Sequence, residues 1–326
     1  MSTSKTLAIA LFALISTSPA AEWQSVAPLP GPNGGFVCGA LNDTLFVLGG
    51  TNWRNDTKHW LDGIQARSLK TGEWKLAGKL PAPVAYAASA QTKETLYFMG
   101  GSDGSRTHQT LWELNARGQV KARAQIASAT VYGGAAIVNQ VLYLVCGSKD
   151  AADLSQLADA CQAIDLKSGA VKSLPPFPGG KFTLPAVTAL GDRVFAFTGA
   201  TFAGGQVQNQ SGAWAFSIRK GQWQRLRDYP FAVRGLAAIA LNERYLLLGG
   251  GYKSDAEGFT NEAFIYDSTN DRYLPARALP YRAMASFALS GDHLFWLGGE
   301  DEKKHRTDRC YRIAWKALLS EATREK

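Results

Sequence analysis

One short pattern, four apolar residues closed by two small ones, occurs six times along the chain. The copies are Leu45-Phe-Val-Leu-Gly-Gly50, Leu96-Tyr-Phe-Met-Gly-Gly101, Leu142-Tyr-Leu-Val-Cys-Gly147, Val194-Phe-Ala-Phe-Thr-Gly199, Tyr245-Leu-Leu-Leu-Gly-Gly250 and Leu294-Phe-Trp-Leu-Gly-Gly299. Their final glycines lie 51, 46, 52, 51 and 49 residues apart. A fixed period near 50 means one supersecondary unit repeated, and about 50 residues is the kelch spacing. The pattern predicts an all-β fold, a six-bladed kelch-type β-propeller.

Each repeat reads as four strands. A proline-containing turn comes first (Leu29-Pro30, Leu80-Pro81, Pro178, Tyr229-Pro230, Leu279-Pro280), then a strand of small residues such as 85–90, 133–138 or 236–241. Small side chains suit an inner strand, where six strands converge on one axis. A polar turn leads to the apolar strand with its glycine pair, whose backbone enters a conformation that a Cβ disfavours. A third strand follows (Ala163-Ile-Asp-Leu166, Phe264-Ile-Tyr-Asp267), and a fourth carries Trp74, Trp223 or Tyr273, aromatics expected to pack between blades. The last repeat runs out of chain after its third strand, Arg309 to Trp315, while Glu22 to Val26 reads as an orphan fourth strand. Pairing the two closes the last blade with the N-terminal strand and removes the exposed edges.

Length permits more than one domain, but a closed ring occupies 21–316 as one unit, with 317–326 a short surface helix or frayed tail. Residues 1–20 read as a signal peptide: Lys5, a short apolar run from Thr6 to Ile15, and the small residues Ser18-Pro-Ala20. That run is too short to span a bilayer, so a periplasmic or secreted protein is expected, with no membrane association after cleavage. Four cysteines suit export loosely. Cys146 and Cys161 fall on adjacent strands, where a disulfide and a free pair are both open; Cys38 and Cys310 read as buried thiols. The formal charge is +8. No clustered basic stripe or nucleic-acid motif accompanies it, so nucleic acid is not an expected partner; the excess either aids solubility or draws small anions.

Function in such a ring concentrates in the loops at one mouth. The residues just past the glycine pairs read Thr51, Ser102, Ser148, Ala200, Gly251 and Glu300: five small, one carboxylate. A carboxylate where a strand hands over to an axial loop can exchange protons with a bound ligand. Arg306 follows six residues on, able to hold the glutamate ionised or to clamp a substrate carboxylate. Taken alone, 299–308 also fits a solvated charged loop. Arg234, Arg282, Asn33, Asn52 and Tyr132 stand near the starts of inner strands, where a side chain can either contact ligand or serve a turn or interblade hydrogen bond. His59, His108, His293 and His305 lack metal-ligand spacing, and no metal or cofactor is called for.

The six kelch units, the closure by both chain ends and the run Gly299-Glu300-x5-Arg306-Thr307-Asp308 together resemble the N-acetylneuraminate epimerase, or sialic-acid mutarotase, family. The cyclically permuted branch is the closer match, since the Glu/Arg-Thr-Asp segment falls in the last blade and the first carries Gly49-Gly-Thr-Asn52-Trp53 and Trp60-Leu-Asp62. Repeats three and four depart from the pattern by lacking one glycine each. The resemblance implies an exported enzyme that interconverts anomers of a small sugar acid, with Glu300 as general acid/base and Arg306 beside it, and without a cofactor. The main alternative is a non-catalytic kelch module that binds glycan or protein. A copper oxidase would need a His/Tyr/Cys constellation that scattered histidines do not offer. A sialidase would need repeated Ser-x-Asp-x-Gly-x-Thr-Trp turns, which are absent.

Overall fold

A computed structural model of the chain describes residues 21–126 and 130–324; the signal-like segment 1–20 lies outside them. Six four-stranded antiparallel sheets form the blades of a ring. In blade one the strands run Val37–Leu41, Thr44–Leu48, Gly63–Ser68 and Trp74–Lys79, from axis to rim. The inner strands of the other blades are Ala88–Gln91, Gly134–Val138, Ala186–Leu190, Ala237–Ala240 and Met284–Ser290.

Blade six is built from both chain ends. Its outermost strand, Gln24–Val26, pairs with Cys310–Ala314 in the register Gln24↔Arg312, Ser25↔Tyr311, Val26↔Cys310. The seal continues beyond the strand, where Leu29 N–H donates to the Asp308 carbonyl (2.8 Å).

Why the second strand of each repeat carries an unbroken apolar run follows from its place between two seams. Side chains alternate across a strand, so in blade one Phe46 and Leu48 pack toward blade two, with Leu96 and Phe98. Leu45 and Val47 pack toward blade six, with Phe295 and Leu297. Both faces are buried, and alternation of polarity disappears. Each of the six blade-to-blade seams has such a cluster. A fully buried Leu or Phe stabilises by about 1.5–3 kcal/mol, so the seams rather than the individual sheets carry the fold. Trp74 and Trp223 pack at seams and donate their indole N–H to the carbonyls of Ala27 and Pro175, while the Tyr273 hydroxyl donates to Arg227.

Small inner-strand residues, among them Cys38, Ala90, Ala136, Thr188 and Ala288, line an axial channel of about 560 Å³. The C-terminal segment forms a helix, Trp315–Arg324, which buries Leu318 and Ala322 against the seam between blades five and six. Arg277 pairs with Glu321 (2.8 Å) to hold it there. The helix is therefore part of the packed body, not an appended tail.

Cys146 and Cys161 are unbridged, as are Cys38 and Cys310. Val145, not Cys146, stands opposite Cys161, because the strand is irregular between Val145 and Gly147 and Cys146 is turned to φ +56°. Cys161 Sγ donates to the Asp159 carbonyl (3.7 Å), and burial pushes the Cys146 thiol well above its ordinary pKa.

Candidate active site at the axial mouth

The six residue pairs that end these strands, four of them Gly-Gly, do one job. In every pair the second residue, a glycine, has φ between +79° and +117° and its N–H donates to a carbonyl at the start of the next blade. The bonds run Gly50→Val84, Gly101→Thr130, Gly147→Phe182, Gly199→Val233, Gly251→Ala283 and Gly299→Asn33, at 2.8–3.1 Å. At the first position Cys146 and Thr198 tolerate the left-handed region; the second position is glycine in all six.

This corrects the register of blade five. Its pair is Gly250-Gly251, since Gly249 lies within the strand Tyr245–Gly249 and Gly251 makes the cross-blade bond. The residue past the pair is Tyr252, not Gly251. Three consecutive glycines concealed the shift from sequence reading. The ring of residues beyond the pairs is thus Thr51, Ser102, Ser148, Ala200, Tyr252 and Glu300.

Each faces a residue at or just ahead of the start of an inner strand: Gly34↔Thr51, Ala85↔Ser102, Val131↔Ser148, Thr183↔Ala200, Arg234↔Tyr252 and Met284↔Glu300. The channel begins at Phe36, Ala87, Gly133, Pro185, Leu236 and Ala285, so these paired positions surround its mouth. Glu300 is one of them.

Arg306 Nη1 meets Glu300 Oε2 at 3.1 Å; the Arg306 side chain is 3% exposed and that of Glu300 25%. Three further hydrogen bonds hold the guanidinium. Nη1 donates to the His305 carbonyl (2.9 Å), Nη2 to the Tyr86 hydroxyl (3.2 Å) and Nε to Thr51 Oγ1 (3.4 Å). The loop that delivers Arg306 is braced by Thr307 N–H on the Gly299 carbonyl (3.0 Å) and by Asp301, which receives Arg309 (2.7 Å) and His305 (2.6 Å). The run 299–308 is therefore a folded loop around a buried cation.

Tyr86 escaped the sequence reading, which took 85–90 as a plain small-residue strand. It occupies the place held by Gly35 in blade one and Gly235 in blade five, and like them has positive φ, +59°. A bulky residue there is an outlier that points to a role. Its ring touches Tyr132 (centroids 4.9 Å apart) and meets Trp60 edge-on. Lys58 lies over both Trp60 and Tyr86. Lys58 and Trp60 come from a hairpin, Thr51–Arg54 with Thr57–Trp60, whose far end is tied to the blade-six loop by Lys304 and Asp56 (3.2 Å). Burial pushes the Tyr86 phenol up, but the charges of Arg306 and Lys58, with hydrogen bonds to Lys58 and Thr51, outweigh it and leave the phenol below its ordinary pKa.

Tyr132 is also left-handed (φ +61°), and its hydroxyl donates to the Ala151 carbonyl (3.2 Å). Burial raises its pKa, reinforced by Tyr86 and Glu300 and opposed by Arg306. Arg234 stacks on Tyr252 (4.3 Å) and donates to Asn209 Oδ1 (2.9 Å). Burial lowers the Arg234 pKa, while Tyr252, Asp255 and Glu300 pull it back up. Tyr132 follows Val131, and Arg234 faces Tyr252, in the ring of paired positions, so all three stand around the same mouth as Glu300. Arg234 and Tyr252 also border a cavity of about 450 Å³ with Asn209, Lys253 and Asp255.

The other sequence candidates stand apart from this group. Asn33 is buried, donates to the Gly49 carbonyl (2.8 Å) and supplies the carbonyl that closes the ring. Asn52 is buried beside it in a small cavity of about 190 Å³ bordered by Pro32 and Leu61. Arg282 is exposed and forms no hydrogen bond or ion pair among the described residues.

No protein-family model matches the sequence. Among curated proteins, N-acetylneuraminate epimerase of Brucella melitensis is 32% identical over 107 residues, covering 26% of this chain and 27% of that protein. The enzyme of the same name from Yersinia enterocolitica is 32% identical over 111 residues (26% and 28%). The chain resembles the N-acetylneuraminate epimerases. It spans about a quarter of the length of these relatives. Human kelch-like protein 33 is 34% identical over 84 residues, 26% of this chain and 15% of that protein, a likeness that fits the shared repeat.

Proposed function

We propose that this protein is a sugar mutarotase that interconverts the anomers of a sialic acid such as N-acetylneuraminate. The observation that carries the reading is the Glu300–Arg306 pair, a partly exposed carboxylate held by a buried guanidinium at the axial mouth. The similarity to N-acetylneuraminate epimerases supports the substrate class.

Mutarotation asks little of an enzyme. The anomeric hydroxyl loses a proton, the ring oxygen gains one, the ring opens, the carbonyl turns and the ring closes again. Glu300 serves as the base for the anomeric hydroxyl and returns the proton on closure. Because the Arg306 side chain is buried and held by four protein groups, its task is to orient Glu300, not to clamp substrate. The sugar carboxylate then falls to Arg234, half-exposed and pre-oriented by Asn209 and Tyr252. The test is proton NMR of freshly dissolved α-anomer with and without protein. Acceleration of anomer exchange, lost in Glu300→Gln, is the expected result; binding without acceleration would favour a kelch binding module instead. We further propose export to the periplasm or medium on the strength of residues 1–20, to be checked by fractionation and N-terminal sequencing of the mature chain.

A further inference from the structure

We infer that Tyr86 is the second catalytic group, the acid that protonates the ring oxygen while Glu300 takes the anomeric proton; this rests on the mutarotase reading. The anomeric and ring oxygens are bonded to one carbon, so the base and the acid must stand close together. Tyr86 and Glu300 satisfy this through a shared holder. Arg306 donates to Glu300 from Nη1 and to the Tyr86 hydroxyl from Nη2, two tips of one planar fork. Thr51 Oγ1 fixes the same hydroxyl from blade one (3.2 Å). The tyrosine is held in this place by a left-handed backbone and by two interblade bonds, Tyr86 N–H to the Gly35 carbonyl (2.7 Å) and Tyr132 N–H to the Tyr86 carbonyl (3.0 Å).

The proton count closes. On opening, the anomeric O–H proton passes to the Glu300 carboxylate, the C=O forms, the bond from the anomeric carbon to the ring oxygen breaks, and that oxygen takes the Tyr86 proton. The phenolate left behind faces Arg306 and Lys58, with Thr51, Trp60 and Tyr132 completing its surroundings. On closure from either face of the carbonyl, the former ring hydroxyl returns its proton to Tyr86 and Glu300 reprotonates the new anomeric oxygen. No oxidant, reductant or further reactant enters.

The experiment compares wild type, Tyr86→Phe and Lys58→Met in anomer exchange of N-acetylneuraminic acid across pH, alongside ultraviolet difference titration of tyrosine ionisation. Tyr86→Phe, which keeps the ring and its packing, should lower the rate by about 10²–10⁴-fold and abolish the alkaline limb of the pH profile. Lys58→Met should move that limb to higher pH. The titration should show one phenol ionising below the ordinary tyrosine range in wild type and missing from Tyr86→Phe. Full activity in Tyr86→Phe, or an unchanged alkaline limb, would overturn the assignment of Tyr86 and leave the mutarotase reading standing. Failure of wild type to accelerate exchange would overturn both.

Discussion

Gly34 and Arg306 compete for one space: a Cβ on Gly34 would lie 2.4 Å from Arg306 Cδ and 2.7 Å from its Nε. The glycine's neighbour is under similar pressure, since a Cβ on Gly35 would meet the Tyr86 ring at 2.4 Å. The Asn33-Gly-Gly-Phe36 turn of blade one is therefore shaped around two side chains supplied by blades six and two. Gly34→Ala should push Arg306 off Glu300 and lower anomer exchange by about 10²-fold, the cost of a misplacement near 1 Å. Exchange kinetics with a melting curve test it; full activity would show that Arg306 can relax without consequence.

Glu300→Gln keeps the shape of the pair but cannot accept the anomeric proton. The rate should fall by about 10²–10⁴-fold, while affinity for the sugar, measured by calorimetry, stays within a few-fold of wild type. A comparable loss of affinity would instead make Glu300 a binding group.

Arg234→Ala should act on affinity more than on turnover. Removing an anion contact made equally in ground and transition states raises KM with little change in kcat. The methyl ester of the sugar, which lacks the charge, should be almost indifferent to the substitution. Equal sensitivity of acid and ester would exclude Arg234 as the carboxylate anchor.

Trp296 is fully buried in the seam between blades five and six, against Phe287 and Tyr281. Trp296→Ala should cost about 3–5 kcal/mol in denaturant unfolding. Loss of Gln24–Val26 should have a different signature. It bares the edge of Cys310–Ala314, so chains lacking residues 21–27 should self-associate in size-exclusion chromatography.

Asp267 gives the ring an acid limit. Its carboxylate is fully buried, and hydrogen bonds from Arg244 and Asn270 hold its pKa well below the ordinary aspartate value. A depressed folded pKa contributes stability that is present above the unfolded pKa, about 3.9, and is lost as pH falls from there toward the folded pKa. The melting temperature should therefore fall more steeply below about pH 4 in wild type than in Asp267→Asn, which is destabilised at neutral pH but has less left to lose.

Much of this architecture is legible in the sequence because it depends on patterns. Strand after strand such as Leu294-Phe-Trp-Leu297 is apolar throughout, and only a sheet buried on both faces explains that. The pairing of Gln24–Val26 with Cys310–Ala314 follows from counting strands. Glu300 stood out because a carboxylate broke a row of small residues. The rest depends on register and on direction, which periodicity does not carry. Three glycines in a row moved the fifth handover residue from Gly251 to Tyr252. Tyr86 was hidden in a small-residue strand, though a tyrosine where other repeats carry glycine was a usable signal. Asn33 and Arg282 sit near the starts of inner strands as expected, but one side chain turns to the Gly49 carbonyl and the other lies exposed.

The six amide latches, from Gly50 around to Gly299, are made wholly of main chain. Nothing in that fastening consults the side chain one residue further on, so a blade keeps its grip on the next whether threonine, tyrosine or glutamate follows. Chemistry at this opening can be exchanged piece by piece while the wheel stays shut.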